Sequence, residues 1–484
     1  MSRLKSPVLL IGLFCLASIN NGTAFAPLLG RHAGYTCKGK KMAAPPKLFG
    51  RLPIVGSFRG GSLRLSTDQN EIKHMIFELS PEEVKAIETY SQECSLWKKG
   101  DKKPVFAYPE LAKRMKQIYD EYGVVLVRGL VDESLLDQLI RAGNLLVGKE
   151  KSLVVSSFKA VEFGPVFAGH TVELSGEVNA IPPTDQDVML SSFRTAAIKS
   201  AIPSCIGGIL LDLASTLEDT SCGQMTNLRL LNDVFLAKGG KDADYCGWHI
   251  DDAVFWPCSP RHSPAGINSW IALDDIIAKY GGGMAVIPKS HTAEWSSDAQ
   301  KAIGNTITHP SEGFSNIGEL FQTIGKTCEI ETNSPQLNDL MEKEGILFDF
   351  KKGDVLLMNR FTWHRSVQVT PEGNSYYSNC QGKSEDESPT LMRYTVRYEV
   401  GSVPLIRGAS LHPGILYDPA NSGKPLDEVV ASSGPFFPKA WPAIDINEMH
   451  QLHEMVNVKI PKAQKERERI LAQMIRPATP APTK

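Results

Sequence analysis

Residues 247–256 read "GWHIDDAVFW". Trp248, Ile250, Val254 and Phe255 give the run the character of a buried strand, yet His249 and Asp251 stand two apart inside it. In a strand, alternate side chains face the same way, so His249 and Asp251 project together while Ile250 faces the other side. An imidazole and a carboxylate turned inward are costly unless something binds them, and a divalent metal ion meets that need. The third ligand has to come from elsewhere. In "GDVLLMNRFTWHRS" (353–366) a Gly-Asp turn leads into an apolar strand with His364 at its far end. Two histidines and one carboxylate with three open positions form the facial triad of non-haem Fe(II) oxygenases.

Two other arrangements compete for the same residues. Cys246, His249, Cys258 and His262 make a C-x2-H-x8-C-x3-H run that suits zinc, but its central loop is short and Asp251 goes unexplained. His291 in "IPKSH" is a rival third ligand, although the preceding Gly281–Gly283 run and Pro-Lys-Ser read as a turn whose histidine bonds a loop.

Around the triad, residues 225–400 consist of short apolar strands separated by Gly, Pro and Asp turns: "TNLRLLNDVFLAK", "INSWIALDDI", "GGMAVIPKSH" and "MRYTVRYEV". Such spacing predicts a sandwich or barrel of jelly-roll type, mainly β with flanking helices. No helical pattern alternates with the strands, which argues against a doubly wound parallel sheet. Residues 292–350 break the pattern with polar, partly helical sequence ("NIGELFQTIGK", "SPQLNDLMEKEG") and read as an insertion over one rim. Upstream, "SPEEVKAIETYSQ" predicts a helix with Ser80 as N-cap, Pro81 at the first position and Glu83 closing a capping box. A helix ending at Gly123, the strand "VVLVR" and a helix capped by Asp132 follow.

Taken together, "GWHIDDAVFWP", "SWIALDDIIAKYGGGMAVIPKSH", "GDVLLMNRFTWHRS", "MRYTVRYEV" and the upstream "YDEYGVVLVRGLVDESLLDQL" resemble the phytanoyl-CoA dioxygenase family of Fe(II)/2-oxoglutarate-dependent oxygenases. The resemblance implies a double-stranded β-helix core and Fe(II) held by His249, Asp251 and His364, with 2-oxoglutarate and O2 as co-substrates. It also implies that Arg393 pairs with the distal carboxylate of 2-oxoglutarate and that Ser366 and Trp270 line the co-substrate pocket. A planar, always-charged guanidinium suits that task. Arg397, four residues on and on the same strand face, remains the alternative, because the segment "TPEGNSYYSNCQGKSEDESPT" before Arg393 is longer than usual for the family. The implied reaction is hydroxylation or desaturation of an unactivated C–H position of a small molecule. A non-catalytic binding protein on the same fold is the alternative of another class.

The N-terminus carries a different message. Residues 1–24 place Arg3 and Lys5 before the apolar "PVLLIGLFCLASI", the pattern of a signal peptide, whose apolar run is too short to span a bilayer. Residues 25–67 contain no acid and abound in Lys, Arg, Ser and Gly, which is transit-peptide composition. The junction "TAFAPLLGR", with Phe25, resembles the bipartite presequences of algae with complex plastids; simple secretion is the alternative. Residues 1–67 hold 10 of the 52 basic residues and none of the 54 acidic ones, so the remainder carries a net charge of −12. An acidic mature chain is a poor partner for nucleic acid or anionic membranes, and no transmembrane segment is expected in it. Seven scattered cysteines without a C-x-x-C pair read as reduced thiols.

The expected organisation is therefore presequence (1–24, 25–67), an N-terminal helical module leading into the oxygenase domain (68–224), the core (225–400) and a C-terminal extension (401–484). The extension includes a charged helix in "AQKERERILAQM" and a disordered tail. For the substrate, the plastid address points to the propionate side chain of a chlorophyll precursor, a tetrapyrrole, with Trp248, Phe255 and Trp256 as expected walls. An acyl thioester or other lipid is the alternative.

Overall fold

The computed structural model describes residues 69–147, 153–155, 201–216, 227–239, 247–251, 256, 258, 265–293, 295, 330–384, 387–405, 423–434 and 437–454. The presequence, Cys246, Phe255, His262, "NIGELFQTIGK" and the charged C-terminal helix lie outside these residues.

The strands in chain order are β1 (Ile76–Glu78), β2 (Val124–Arg128), β3 (Leu153–Val155), β4 (Leu228–Gly239), β5 (Ile267–Ala272), β6 (Met284–Val286), β7 (Ile346–Leu347), β8 (Val355–Asn359), β9 (His364–Ser366), β10 (Thr390–Val400) and β11 (Lys439–Trp441). The larger sheet runs β1-β2-β8-β5-β10-β4-β11, with β3 also on β4, and the smaller runs β7-β6-β9. All the larger sheet's pairings are antiparallel except β1 with β2. Two sheets of alternating inward and outward residues are the jelly-roll core that the strand spacing predicts, and among the described residues they do not close into a barrel.

The period of two decides what each face does. In "MRYTVRYEV", Tyr394 and Val396 join Val125, Val127, Ile271, Val355 and Leu357 in a core shared with Ile87, Met115, Tyr119, Leu139 and Ile206 of the flanking helices. The opposite face carries Trp270, Ala272, Leu356 and Met358, which meet Met284, Val286 and Ile346 of the smaller sheet. Full burial of side chains of this size contributes roughly 1.5–3 kcal/mol each. Arg393, Thr395 and Arg397 share this face because they stand opposite Ala272, Trp270 and Asn268. Arg393, Thr395 and Arg397 thus bring polar groups into the space between the sheets.

The upstream helices form as their caps dictate. Ser80 accepts from Glu83 N at 3.3 Å while Glu83 accepts from Ser80 N at 2.8 Å, opening the helix Pro81–Leu96. Asp132 accepts from Leu135 N at 2.9 Å and opens Glu133–Val147. The helix Pro109–Tyr122 ends at Gly123, whose φ of 73° only glycine adopts at little cost. A Cβ there would also strike His291 and Thr362, so Gly123 lets the helix end close against the turn that leads to His364.

The segment expected as an insertion over 292–350 carries sheet pairing near its end: Ile346–Leu347 is β7, paired with β6, and Phe350 bridges Ile276. The long segment before Arg393 folds into a helix, Pro371–Cys380, capped by Thr370 accepting from Gly373 N at 3.0 Å. Its Tyr377 hydroxyl accepts from Ile277 N at 2.9 Å and donates to Gly281 O at 3.0 Å, which fastens the helix over the Gly281–Gly283 turn. Among the described residues no helix is long and apolar enough to cross a membrane.

Candidate metal and co-substrate site

His364 opens β9 at the edge of the smaller sheet. Residues 247–251 lie beside it, but not as the regular strand that the sequence suggests: a single bridge joins His249 to His364. Its two backbone hydrogen bonds, His249 N to His364 O and His364 N to His249 O, are both 3.0 Å. The short run makes this one pair, and the Asp251 side chain reaches Asn268 and Arg397 of the larger sheet. His249, Asp251 and His364 each offer one ligand atom, all within 4.8 Å of one another.

The imidazoles are oriented by their own backbones. His249 Nδ1 lies 2.7 Å from Gly247 O and His364 Nδ1 lies 2.9 Å from Thr362 O. A carbonyl only accepts, so each Nδ1 carries the proton and each Nε2 keeps its lone pair for a metal. His364 Nε2 stands 3.9 Å from Asp251 Oδ1. The other oxygen of Asp251 is committed: Oδ2 accepts from Asn268 Nδ2 at 2.7 Å and from Arg397 Nε at 2.7 Å. Asn268 on β5 and Arg397 on β10 are cross-strand partners, so the sheet register aims both donors at one carboxylate.

These surroundings set the protonation the site needs. Burial pushes the Asp251 carboxyl up, but the Arg397 and His364 charges outweigh it and hold the group down to about 2. Burial, aided by His249 and opposed by Asp251, lowers His364 to about 4. Near neutral pH the site therefore presents a carboxylate and a neutral His364, the forms that bind divalent metals. The donor set of two imidazole nitrogens and one carboxylate oxygen fits Fe(II).

The three residues expected to hold 2-oxoglutarate also come together. Arg393 is 4% exposed, its Nη2 donates to Ser366 Oγ at 2.9 Å, and its guanidinium lies 5.6 Å from the Trp270 ring centre. Trp270 Nε1 is buried with no acceptor among the described residues, a donor that suits a carboxylate ligand. The alternative arginine, Arg397, four residues on, is engaged on Asp251, so the two guanidiniums divide the face: Arg397 toward Asp251, Arg393 toward Ser366 and Trp270.

Other candidates fall elsewhere. His291 Nε2 lies 3.0 Å from Asp120 O, fastening the "IPKSH" turn to the end of the helix Pro109–Tyr122. Cys258 is buried, with Arg360 Nη2 donating to its carbonyl at 3.2 Å, and among the described residues the cluster around His249 consists of Asp251 and His364. Trp248 and Trp256 are core residues and not walls of a pocket. Trp248 packs among Ile250, Leu337, Met341 and Trp363. Trp256 donates to Glu399 Oε2 at 2.7 Å, where Arg360 Nη1 also donates at 3.1 Å. Sequence reasoning missed Glu342, which touches the neighbours of both histidines; nothing in its local pattern distinguishes it from a solvated helix residue.

The family model described as phytanoyl-CoA dioxygenase matches residues 119–373, more than half of the chain, from the helix before β2 to beyond β9, which carries His364. No curated protein matches. Among solved structures, the epimerase SnoN from nogalamycin biosynthesis is 15% identical, covering 69% of this chain and 99% of its own with a TM-score of 0.39. The carbocyclase SnoK from the same biosynthesis is 16% identical, covering 67% and 94%, with a TM-score of 0.40. EctD from S. alaskensis is 14% identical, covering 68% and 87%, with a TM-score of 0.35. With the family match extending over both metal-ligating segments and the triad assembled where they meet, the chain belongs to the phytanoyl-CoA dioxygenase family.

Proposed function

We propose that this dioxygenase hydroxylates or desaturates an unactivated C–H position of a plastid metabolite, the propionate side chain of a chlorophyll precursor. The observation that carries the chemistry is the convergence of His249, Asp251 and His364 with both Nδ1 atoms already committed. His249 Nε2, His364 Nε2 and Asp251 Oδ1 would hold Fe(II). An Fe(II) held there would, with 2-oxoglutarate and O2, supply an oxidant able to take hydrogen from an unactivated C–H bond, the keto acid being consumed to succinate and CO2.

The chain's own residues do the rest. Arg393 pairs with the distal carboxylate of 2-oxoglutarate, assisted by the Ser366 hydroxyl and the Trp270 N–H, so the keto acid enters in one orientation. Arg397 and Asn268 hold Asp251 Oδ2 at 2.7 Å, while Arg397 Nη2 reaches Oδ1 only at 3.4 Å, so Oδ1 is the oxygen that would turn to a metal. The buried surroundings of Arg393 and His364 exclude water, which strengthens these charged contacts.

The substrate reading is supported by the acid-free residues 25–67 and the net charge of −12 beyond them, which fit a plastid enzyme of a small molecule. Conversion of a propionate arm to an acrylate removes two hydrogens from an unactivated C–C bond, a step suited to this oxidant. The test is incubation of residues 68–484 with Fe(II), 2-oxoglutarate, O2 and protochlorophyllide or chlorophyllide. A product with an acrylate or hydroxypropionate arm is expected. Its absence, with hydroxylation of an acyl thioester in its place, assigns the enzyme to lipids. A fluorescent protein fused to residues 1–67 should reach the plastid, and its secretion would remove the argument from address.

A further inference from the structure

Glu342 lies on the helix Pro335–Glu344, on the far side of the smaller sheet from Arg393 and Arg397. Its Oε1 accepts from Trp248 Nε1 at 2.8 Å and its Oε2 from Arg365 Nη2 at 2.7 Å. Trp248 precedes His249, and Arg365 follows His364. Successive side chains of extended backbone point to opposite faces, so the imidazoles turn one way while Trp248 and Arg365 turn the other. The Arg365 guanidinium lies over the Trp248 ring, 5.3 Å from its centre. The same helix grips Trp248 again at its end, since a Cβ on Gly345 would come within 2.8 Å of the indole.

We propose that Glu342 is a positioning residue for both histidine ligands, acting through Trp248 and Arg365 from the outer face of the smaller sheet. The inference rests on the reading of His249, Asp251 and His364 as the metal site. Its physical basis is the place of these donors beside the bridge. The run 247–251 meets β9 through one bridged pair with two backbone hydrogen bonds, and Asp251 ties its far end to the larger sheet. Glu342 adds a further fixed point on each chain, one oxygen to each. Because the two donors belong to the two residues flanking the bridge, the carboxylate sets the spacing of the segments and hence of the two Nε2 atoms. Contacts that orient metal ligands in this indirect way typically change metal affinity about 10–100-fold when removed.

The test uses Co(II) as the probe, which binds such a donor set without reacting with O2 in the same way, followed by calorimetry and by its visible absorption. Glu342→Ala should weaken Co(II) binding about 10–100-fold and alter the Co(II) spectrum, since the ligand geometry itself changes. Glu342→Gln, whose amide oxygen can accept from only one of the two donors, should fall between wild type and Glu342→Ala. Adding Arg365→Ala to Glu342→Ala should cost less than Arg365→Ala alone, because the contact is already gone. Wild-type Co(II) affinity and spectrum in Glu342→Ala would overturn the proposal. Should Glu342→Ala fail to fold, Glu342→Gln carries the same reading, and wild-type affinity and spectrum there overturn it equally. Failure of the underlying site reading shows differently, as wild-type Co(II) binding by His364→Ala.

Discussion

Asp251 is fastened to the middle of the larger sheet, whereas His249 and His364 hang on the edge of the smaller one. Strands β5 and β10 pair along six residues, and their register brings Asn268 and Arg397 to one carboxylate oxygen. The histidines depend instead on a three-residue strand, one bridge and the Nδ1 contacts to Gly247 and Thr362. The comparison teaches that the carboxylate is placed by long-range sheet geometry and electrostatics, while the imidazoles are placed by contacts to their local backbone. The two regions should therefore fail in different ways.

The largest expected effect is on the carboxylate side. Arg397→Met leaves the buried Asp251 charge without its cation, which should cost about 3–5 kcal/mol of stability in the metal-free protein, read by urea denaturation. Bound Co(II) supplies part of the missing positive charge, so the loss should shrink when the metal is present. A loss below about 1 kcal/mol, the scale of an exposed ion pair, would mean that Asp251 does not depend on Arg397.

Arg393→Ala should act on the co-substrate and leave the metal alone. The cost is about 2–5 kcal/mol of 2-oxoglutarate binding, with metal affinity close to wild type. If Arg397→Met raised the 2-oxoglutarate requirement and Arg393→Ala did not, the division of labour between the two arginines would be reversed.

A pH dependence separates the histidine side. Burial and the neighbouring His249 hold His364 down to about 4, against 6.5 ordinarily. Between those values the unfolded chain binds a proton that the folded one refuses, so the metal-free protein should lose stability as the pH falls through that window. The slope is at most about 1.4 kcal/mol per pH unit, and His364→Gln should lack it. An unchanged slope in the variant would place the titration elsewhere. The smallest effect is expected from Trp270→Phe, which keeps the ring and removes the N–H: about 1 kcal/mol weaker 2-oxoglutarate binding, seen as a modest rise in the concentration needed for half-maximal turnover.

Much of this was legible in the sequence where local pattern and chemistry coincide. His249, Asp251 and His364 announce themselves as polar residues in apolar runs, and Ser80, Gly123 and Asp132 mark helix ends by residue type alone. The different surroundings of Arg393 and Arg397 were not legible, because residues four apart on a strand share a face; only the register opposite Ala272 and Asn268 separates them. Trp248 and Trp256 looked like walls of a substrate pocket because an aromatic beside a metal ligand reads the same whether it lines a cavity or packs in a core. The helix Pro371–Cys380 had a readable signal in Thr370, Pro371 and Glu372, obscured by the polar residues after it. Glu342 had none, since its partners lie 94 and 23 residues away in the chain.

The most direct test of the central claim measures Fe(II) binding and the conversion of 2-oxoglutarate to succinate by residues 68–484, wild type against His249→Ala, Asp251→Ala and His364→Ala. The account predicts one iron per wild-type chain and slow succinate formation even before a further substrate is added, with neither in any of the three variants. Wild-type iron content and succinate formation in any one of them would contradict it.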